Sequence, residues 1–319
     1  MARRAGTAAP SALPRTRADN GSYRACCLLK FHAFFCFHLP ISACCGAALK
    51  AVSDGTDNAP LEAARPGDFL SLQFDRPFVR DDGATKSLHF TLGELQSRML
   101  TRLPWRLDID YTRTMMGFLL FRPAPAHIGM IGLGGGSLAK FCYRQLPASK
   151  MTVLEINPHV IALRREFQIP DDDERFAVIA ADGALYLQGE TPTFDVLLVD
   201  GFDHDGQPAA LCSQRFYDDC FAVLAEGGVL AVNLHYDDPL YPVWADRISR
   251  SFGGNAVEVL AEEKSNCIVF ASRGPAISPR AMSLTKSLAG LDQAACLQIK
   301  AELVRIAWEM KNLDQDGAA

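Results

Sequence analysis

The apolar run FDVLLVD, residues 194–200, ends on Asp200, and two more carboxylates follow at Asp203 and Asp205 in the stretch FDHDGQP. A strand that stops at a cluster of acids either turns there, because Asp bonds its own backbone in turns, or offers carboxylates to a cationic partner. A second group of residues lies upstream. IGLGGGSL sets Gly132, Gly134, Gly135 and Gly136 between a strand pattern and a helix pattern. Glycine lets the backbone approach a ligand closely, and a helix N-terminus offers free N–H groups. Glu155 follows 19 residues after Gly136, near the end of VLEI. An acid at that place can accept hydrogen bonds from ribose hydroxyls. AADGALYL then supplies Asp182 and Gly183, where a carboxylate can accept from the exocyclic amine of adenine. Taken singly, each acid reads equally as a helix cap or a solvated side chain, and the glycines as a structural turn. Glycine, acid and acid at three successive strand ends point instead to a nucleoside beyond the carboxyl edge of a parallel sheet.

The elements that must position these residues alternate over 125–275. Strand patterns occur at HIGMIGL, KMTVLEI, FAVIAAD, FDVLLVD and GGVLAVNL, with helical segments between them, and at AVEVL and NCIVFAS. Continuous apolar runs of this kind suit a parallel sheet covered on both faces. A dinucleotide-binding dehydrogenase would begin in the same way. The short turn between the last two strands argues against one, because it implies an antiparallel seventh strand. Ahead of this region, FLSLQF and SLHFTL alternate with period two around the turn RDDGATK, which predicts a small antiparallel hairpin over about 66–100. DIDYTRTMMGFLLF has helical spacing and leads into the main domain. The tail SLAGLDQAACLQIKAELVRIAWEMKNL reads as a terminal helix.

The 319 residues are 49% hydrophobic, enough for one large domain and a smaller one. The net charge is −5, which excludes the basic footprint of a nucleic-acid binder. Residues 1–50 carry seven Lys/Arg and one acid, so the remainder is strongly acidic and suits a small cationic substrate. Residues 1–60 are basic and Pro/Ala-rich, then apolar but interrupted by Lys30, His32, His38 and Pro40. They read as a leader outside the fold rather than a membrane span. Of ten cysteines, five crowd the first 50 residues. No CxxC pair and no Cys/His spacing reads as a zinc site, so no metal is expected.

DGFDHDGQPAALCSQRFY resembles the segment D-S-S-D-P-x-G-P-A-E-S-L-F-x-x-x-F-Y of the spermidine synthase (polyamine aminopropyltransferase) family. Without a gap, Asp200 and Asp203 match its two acids, Gly206 its glycine, Leu211 its leucine, and Phe216 with Tyr217 its closing pair. His204 and Gln207 stand at its prolines. IGLGGGSL and VLEINPHVI extend the likeness to I-G-G-G-D-G-G and V-E-I-D-x-x-V-I. The resemblance covers roughly 66–275. It implies an α/β fold, the seven-stranded class I adenosylmethionine-dependent transferase (Rossmann-like) sheet with a small N-terminal β domain. The domains would be 66–110 (small β domain), 111–275 (transferase domain) and 276–319 (helical tail).

The resemblance further implies transfer of an aminopropyl group from decarboxylated S-adenosylmethionine to a polyamine such as putrescine. Asp200 would be the proton acceptor. Asp203, Tyr111 and Gln96 would contact the amine. Gly132, Gly134, Gly136, Glu155, Asp182 and Gly183 would hold the donor. Two departures stand out: Gly135 replaces an acid that in the family grips the donor's aminopropyl ammonium, and Tyr111-Thr112 replaces a Tyr-His pair. Two other readings of the same sheet stay open, a methyltransferase using S-adenosylmethionine and a non-catalytic nucleoside-binding protein. No N-P-P-Y motif for amino-group methylation is present. A cytoplasmic location, a homo-oligomer, and no nucleic-acid or membrane partner for the folded body complete the expectations.

Overall fold

The computed structural model describes residues 74–316, apart from 94, 190, 191, 276 and 281. The leader read at 1–60 lies outside these residues.

A three-stranded antiparallel sheet comes first, made of β1 (Phe78–Asp81), β2 (Thr85–His89) and β3 (Ser97–Leu100). It differs from the expected hairpin in two ways. The first described strand is FVRD, because the turn is tighter than RDDGATK suggests: Asp81 accepts from Gly83 N, and Asp82 from Ala84 N and Thr85 N. The acids close the turn within three residues, which frees Arg80 and Asp81 to pair with Ser87 and Lys86. FLSLQF falls almost wholly outside the described residues. The third strand, SRML, pairs Leu100 with Thr85. At four residues it is too short for alternation to announce it.

The chain then forms α1 (Asp110–Met115), which continues as a buried 3₁₀ turn over Met116–Leu120. The main sheet follows: β4 (His127–Ile131), β5 (Lys150–Glu155), β6 (Phe176–Ala180), β7 (Phe194–Val199), β8 (Leu224–His235), β9 (Ala256–Leu260) and β10 (Asn266–Arg273). Their order is β6-β5-β4-β7-β8-β10-β9. The first five strands run parallel, and β10 lies antiparallel to both β8 and β9.

All six residues of β7 are buried. Val196 and Leu198 enter the core on one face of the sheet, while Phe194, Leu197 and Val199 enter the core on the other. This is why the strand reads as an unbroken apolar run. Helices α2 (Ser137–Gln145) and α8 (Gln293–Asp316) supply the first core; α5 (Gln214–Val223) and α6 (Tyr241–Ser251) supply the second. The shorter helices are α3 (Pro158–Ala162), α4 (Gly183–Leu187) and α7 (Leu284–Ser287). The tail is therefore not one helix from SLAG onward. It breaks at Gly290 and restarts where Asp292 caps Ala295 N at 2.7 Å. Among the described residues no helix is long and apolar enough to cross a membrane.

Candidate active site

Strand order reverses between β4 and its neighbours β5 and β7, so the connections after these strands leave on opposite sides and open a crevice at their carboxyl ends. A cavity of about 330 Å³ occupies that place. Of the ten residues singled out above, nine line it: Gln96, Tyr111, Gly132, Gly134, Glu155, Asp182, Gly183, Asp200 and Asp203. Gly136 does not; it is the residue that precedes α2, with φ 69°. Asp205 points to solvent.

The glycine loop is packed to the limit. Gly132 has φ +90°, and a Cβ there would lie 2.2 Å from the carbonyl oxygen of Asp200. No other residue fits where the ends of β4 and β7 touch. Gly135, the position without the family's acid, is closed for a different reason. A Cβ would meet Ser97 Oγ at 2.5 Å and Phe167 Cδ1 at 3.0 Å. Ser97 of β3 occupies the room that a side chain at 135 would need.

Glu155 at the end of β5 is 7% exposed. Its Oε2 accepts from Leu133 N and its Oε1 from Asn157 N, both at 2.8 Å. Burial pushes the carboxyl up from the ordinary range, while those N–H groups pull it back. Glu155 thus fixes the glycine loop as well as lining the cavity. Asp182 caps α4, its Oδ1 accepting from Ala184 N at 2.8 Å and Leu185 N at 3.1 Å. The cap and ligand readings are compatible, because Oδ2 has no hydrogen-bond partner among the described residues.

The other half of the cavity is built around Asp200, one residue past β7 and half-buried. Tyr111 Oη donates to its Oδ2 at 3.2 Å, and Asn233 Nδ2 donates to its Oδ1 at 2.8 Å. Burial raises the carboxyl above the usual carboxylate range, against the pull of those two donors. The Tyr111 hydroxyl is pushed well above its ordinary value by burial and by the neighbouring Asp200, so it stays a donor. Asp203 behaves as a turn residue: its N–H donates to Gly206 O at 2.9 Å, and its Oδ1 accepts from Asp205 N at 2.8 Å. His204, at a proline of the family pattern, sits between Asp75 (2.6 Å from Nδ1) and Asp205 (3.1 Å from Nε2).

Asn233 was missed by sequence reasoning. It is 1% exposed near the end of β8. A signal existed, since a lone amide in the apolar run VLAVNL must find a buried partner. Nothing in the sequence pairs Ser97 with Gly135. Among the described residues no group of three or more His, Cys, Asp or Glu is placed to hold a metal ion, and the five described cysteines are unpaired thiols.

Residues 109–240 match the spermine/spermidine synthase domain. The chain is 38% identical over 210 residues to a polyamine aminopropyltransferase of Neisseria meningitidis serogroup A, covering 65% of this chain and 79% of that one. It is 38% identical over 196 residues to the polyamine aminopropyltransferase of Chromobacterium violaceum, covering 61% and 75%. Among solved structures, a probable spermidine synthase from Corynebacterium glutamicum superposes with a TM-score of 0.53 at 20% identity, over 72% of this chain and 90% of that one. A spermidine synthase in complex with the transition-state analogue AdoDATO superposes with a TM-score of 0.51 at 22% identity, over 70% and 82%. These structures share the seven-stranded transferase fold, and by its similarity in sequence the chain belongs to the polyamine aminopropyltransferase family.

Proposed function

We propose that the protein transfers an aminopropyl group from decarboxylated S-adenosylmethionine to a polyamine of the putrescine type, releasing methylthioadenosine. The observation that carries this reading is Asp200, a carboxylate at the cavity wall, held on both oxygens, its pKa raised by burial. An alkylamine with a pKa near ~10 is protonated in water and cannot attack carbon. Asp200 binds the ammonium and accepts one of its protons as the N–C bond forms. The C–S bond breaks, sulfur keeps the pair, and the sulfonium becomes a neutral thioether. A carboxyl poised above its ordinary range is the better base for this step. Asp203 lines the same cavity and adds negative charge facing a cationic donor and a cationic acceptor. On the other side, Glu155 and the Oδ2 of Asp182, which has no hydrogen-bond partner among the described residues, suit the ribose hydroxyls and the adenine amine. The unpaired thiols suit a reducing compartment, the cytoplasm.

One observation favours a second reading. Gly135, next to the lining residue Gly134, carries no carboxylate, and a Cβ there would meet Ser97 Oγ at 2.5 Å, so no acid at 135 repels the carboxylate of intact S-adenosylmethionine. A product assay separates the two. Purified protein is offered each donor with several diamines. Methylthioadenosine is expected from the decarboxylated donor; S-adenosylhomocysteine from the intact donor, with no methylthioadenosine from the other, would replace aminopropyl transfer with methyl transfer.

A further inference from the structure

Asp200 has two oxygens, and the structure treats them differently. Oδ1 faces the amide of Asn233, which sits on β8 within the sheet and is almost completely buried. Oδ2 faces the hydroxyl of Tyr111 at a longer distance. The amide of Asn233 is locked in one orientation. Asn266 Nδ2, from the neighbouring strand β10, donates to Asn233 Oδ1 at 3.0 Å, and the Ser265 hydroxyl donates to Asn266 Oδ1 at 3.0 Å. With its oxygen claimed from behind, Asn233 can turn only its NH₂ group towards Asp200. Gln207 Nε2 donates to the Asn233 main-chain oxygen at 2.8 Å, which ties the acidic loop to the same point of β8. A chain of four side chains, Ser265, Asn266, Asn233 and Asp200, therefore runs from the β9–β10 turn into the cavity.

We propose that Asn233, locked by Asn266, is a positioning residue of the reaction: it occupies Asp200 Oδ1 and leaves Oδ2 as the oxygen that receives the amine proton. This rests on the aminopropyl-transfer reading for its chemistry, though not for its geometry. A donor fixed on one carboxylate oxygen sets the plane of the group and aims the second oxygen's free lone pair. It also holds the carboxylate ionised against burial, because a hydrogen bond to the charged form lowers its pKa. The other titratable groups around Asp200 are Tyr111 from α1, Asp203 and His204 from its own loop, Glu155 and Asp182 from the ends of β5 and β6, and Asp75 ahead of β1, all lining the same cavity. None of these reaches Oδ1.

The test uses the full chain and two variants, Asn233→Leu, which keeps the shape and removes the donor, and Asn266→Ala, which unlocks the amide from a half-buried site. Two readouts are taken: the pH profile of turnover, and direct titration of the Asp200 carboxyl by carbon-13 NMR, assigned through Asp200→Asn. In Asn233→Leu the Asp200 titration and the acidic limb of the profile are expected to move up together by about one to two pH units. At a fixed pH on that acidic limb turnover should fall about 10- to 100-fold, with KM for the amine changed far less. Asn266→Ala should move both the same way by less, and it decides the matter alone if Asn233→Leu does not fold. Titration unchanged in folded variants would overturn the proposal. If the parent releases no methylthioadenosine, the functional reading fails by itself, and the NMR titration still judges whether Asn233 controls Asp200.

Discussion

The two halves of the cavity are built by different means. On the side of β4, β5 and β6 the functional groups are held by main chain: Glu155 by the N–H groups of Leu133 and Asn157, Asp182 by those of Ala184 and Leu185. On the side of β7 the proposed proton acceptor, Asp200, is held by side chains from distant elements: by Tyr111, 89 residues away, and by Asn233, 33 residues away. Backbone-held carboxylates are stable components of the fold that also line the cavity. Side-chain-held carboxylates can be tuned, because a single donor can be removed without unravelling a helix end. The first half suits a part of the reaction that needs only shape and hydrogen bonding, the second a part in which a proton moves.

That contrast can be broken at the joint and then tested on either side. Gly132→Ala has the largest expected effect, since it forces a Cβ to within 2.2 Å of the Asp200 carbonyl at a positive φ. It should cost about 2–5 kcal/mol of stability by chemical denaturation and impair both halves together. A cost below about 1 kcal/mol would mean that the two strand ends are not in rigid contact.

Tyr111→Phe comes next and acts only on the β7 side. The Tyr111 hydroxyl favours the ionised form of Asp200, so its loss should move the acidic limb of turnover upward and lower activity at a fixed pH on that limb by about tenfold. Donor binding should be unchanged by calorimetry; weakened donor binding would place Tyr111 in the wrong half.

Asp182→Ala has the smallest effect and acts on the β4–β6 side. Loss of the α4 cap should lower stability by about 1 kcal/mol and raise KM for the donor while leaving the pH profile in place. Asp182→Asn should restore the cap, because an amide oxygen accepts the same two N–H bonds. An altered pH profile in either variant would show that the halves are coupled.

The same contrast explains what the sequence made legible. The main sheet, its antiparallel β10, the glycine loop and the acids at three strand ends could all be read from local patterns, because their geometry follows from strand and helix periods. The small sheet was read as a hairpin with its strands displaced and its third strand missing, since Asp81 and Asp82 close a tighter turn than RDDGATK suggests and SRML is too short to show alternation. Tyr111 and Gln96 came only from resemblance. Asn233, Asn266 and Ser97 were not found, because each acts across the sheet or between sheets. Cross-strand partnership depends on register, which a single chain does not print. The empty place at Gly135 was visible in the sequence; that Ser97 fills it was not.

As the proposed proton acceptor, Asp200 is buried at the expense of stability. A carboxyl whose folded-state pKa is raised holds its proton more tightly in the folded protein. Its contribution to stability therefore falls as pH rises from the unfolded value towards the folded one, and at neutral pH the ion is a net cost. The most direct measurement is turnover and thermal stability of Asp200→Asn, taken together at neutral pH. Turnover is expected to fall about 10²- to 10⁴-fold with a melting temperature equal to or above that of the parent. A variant that turns over at full rate, or one that is inactive only because it melts early, would contradict the account.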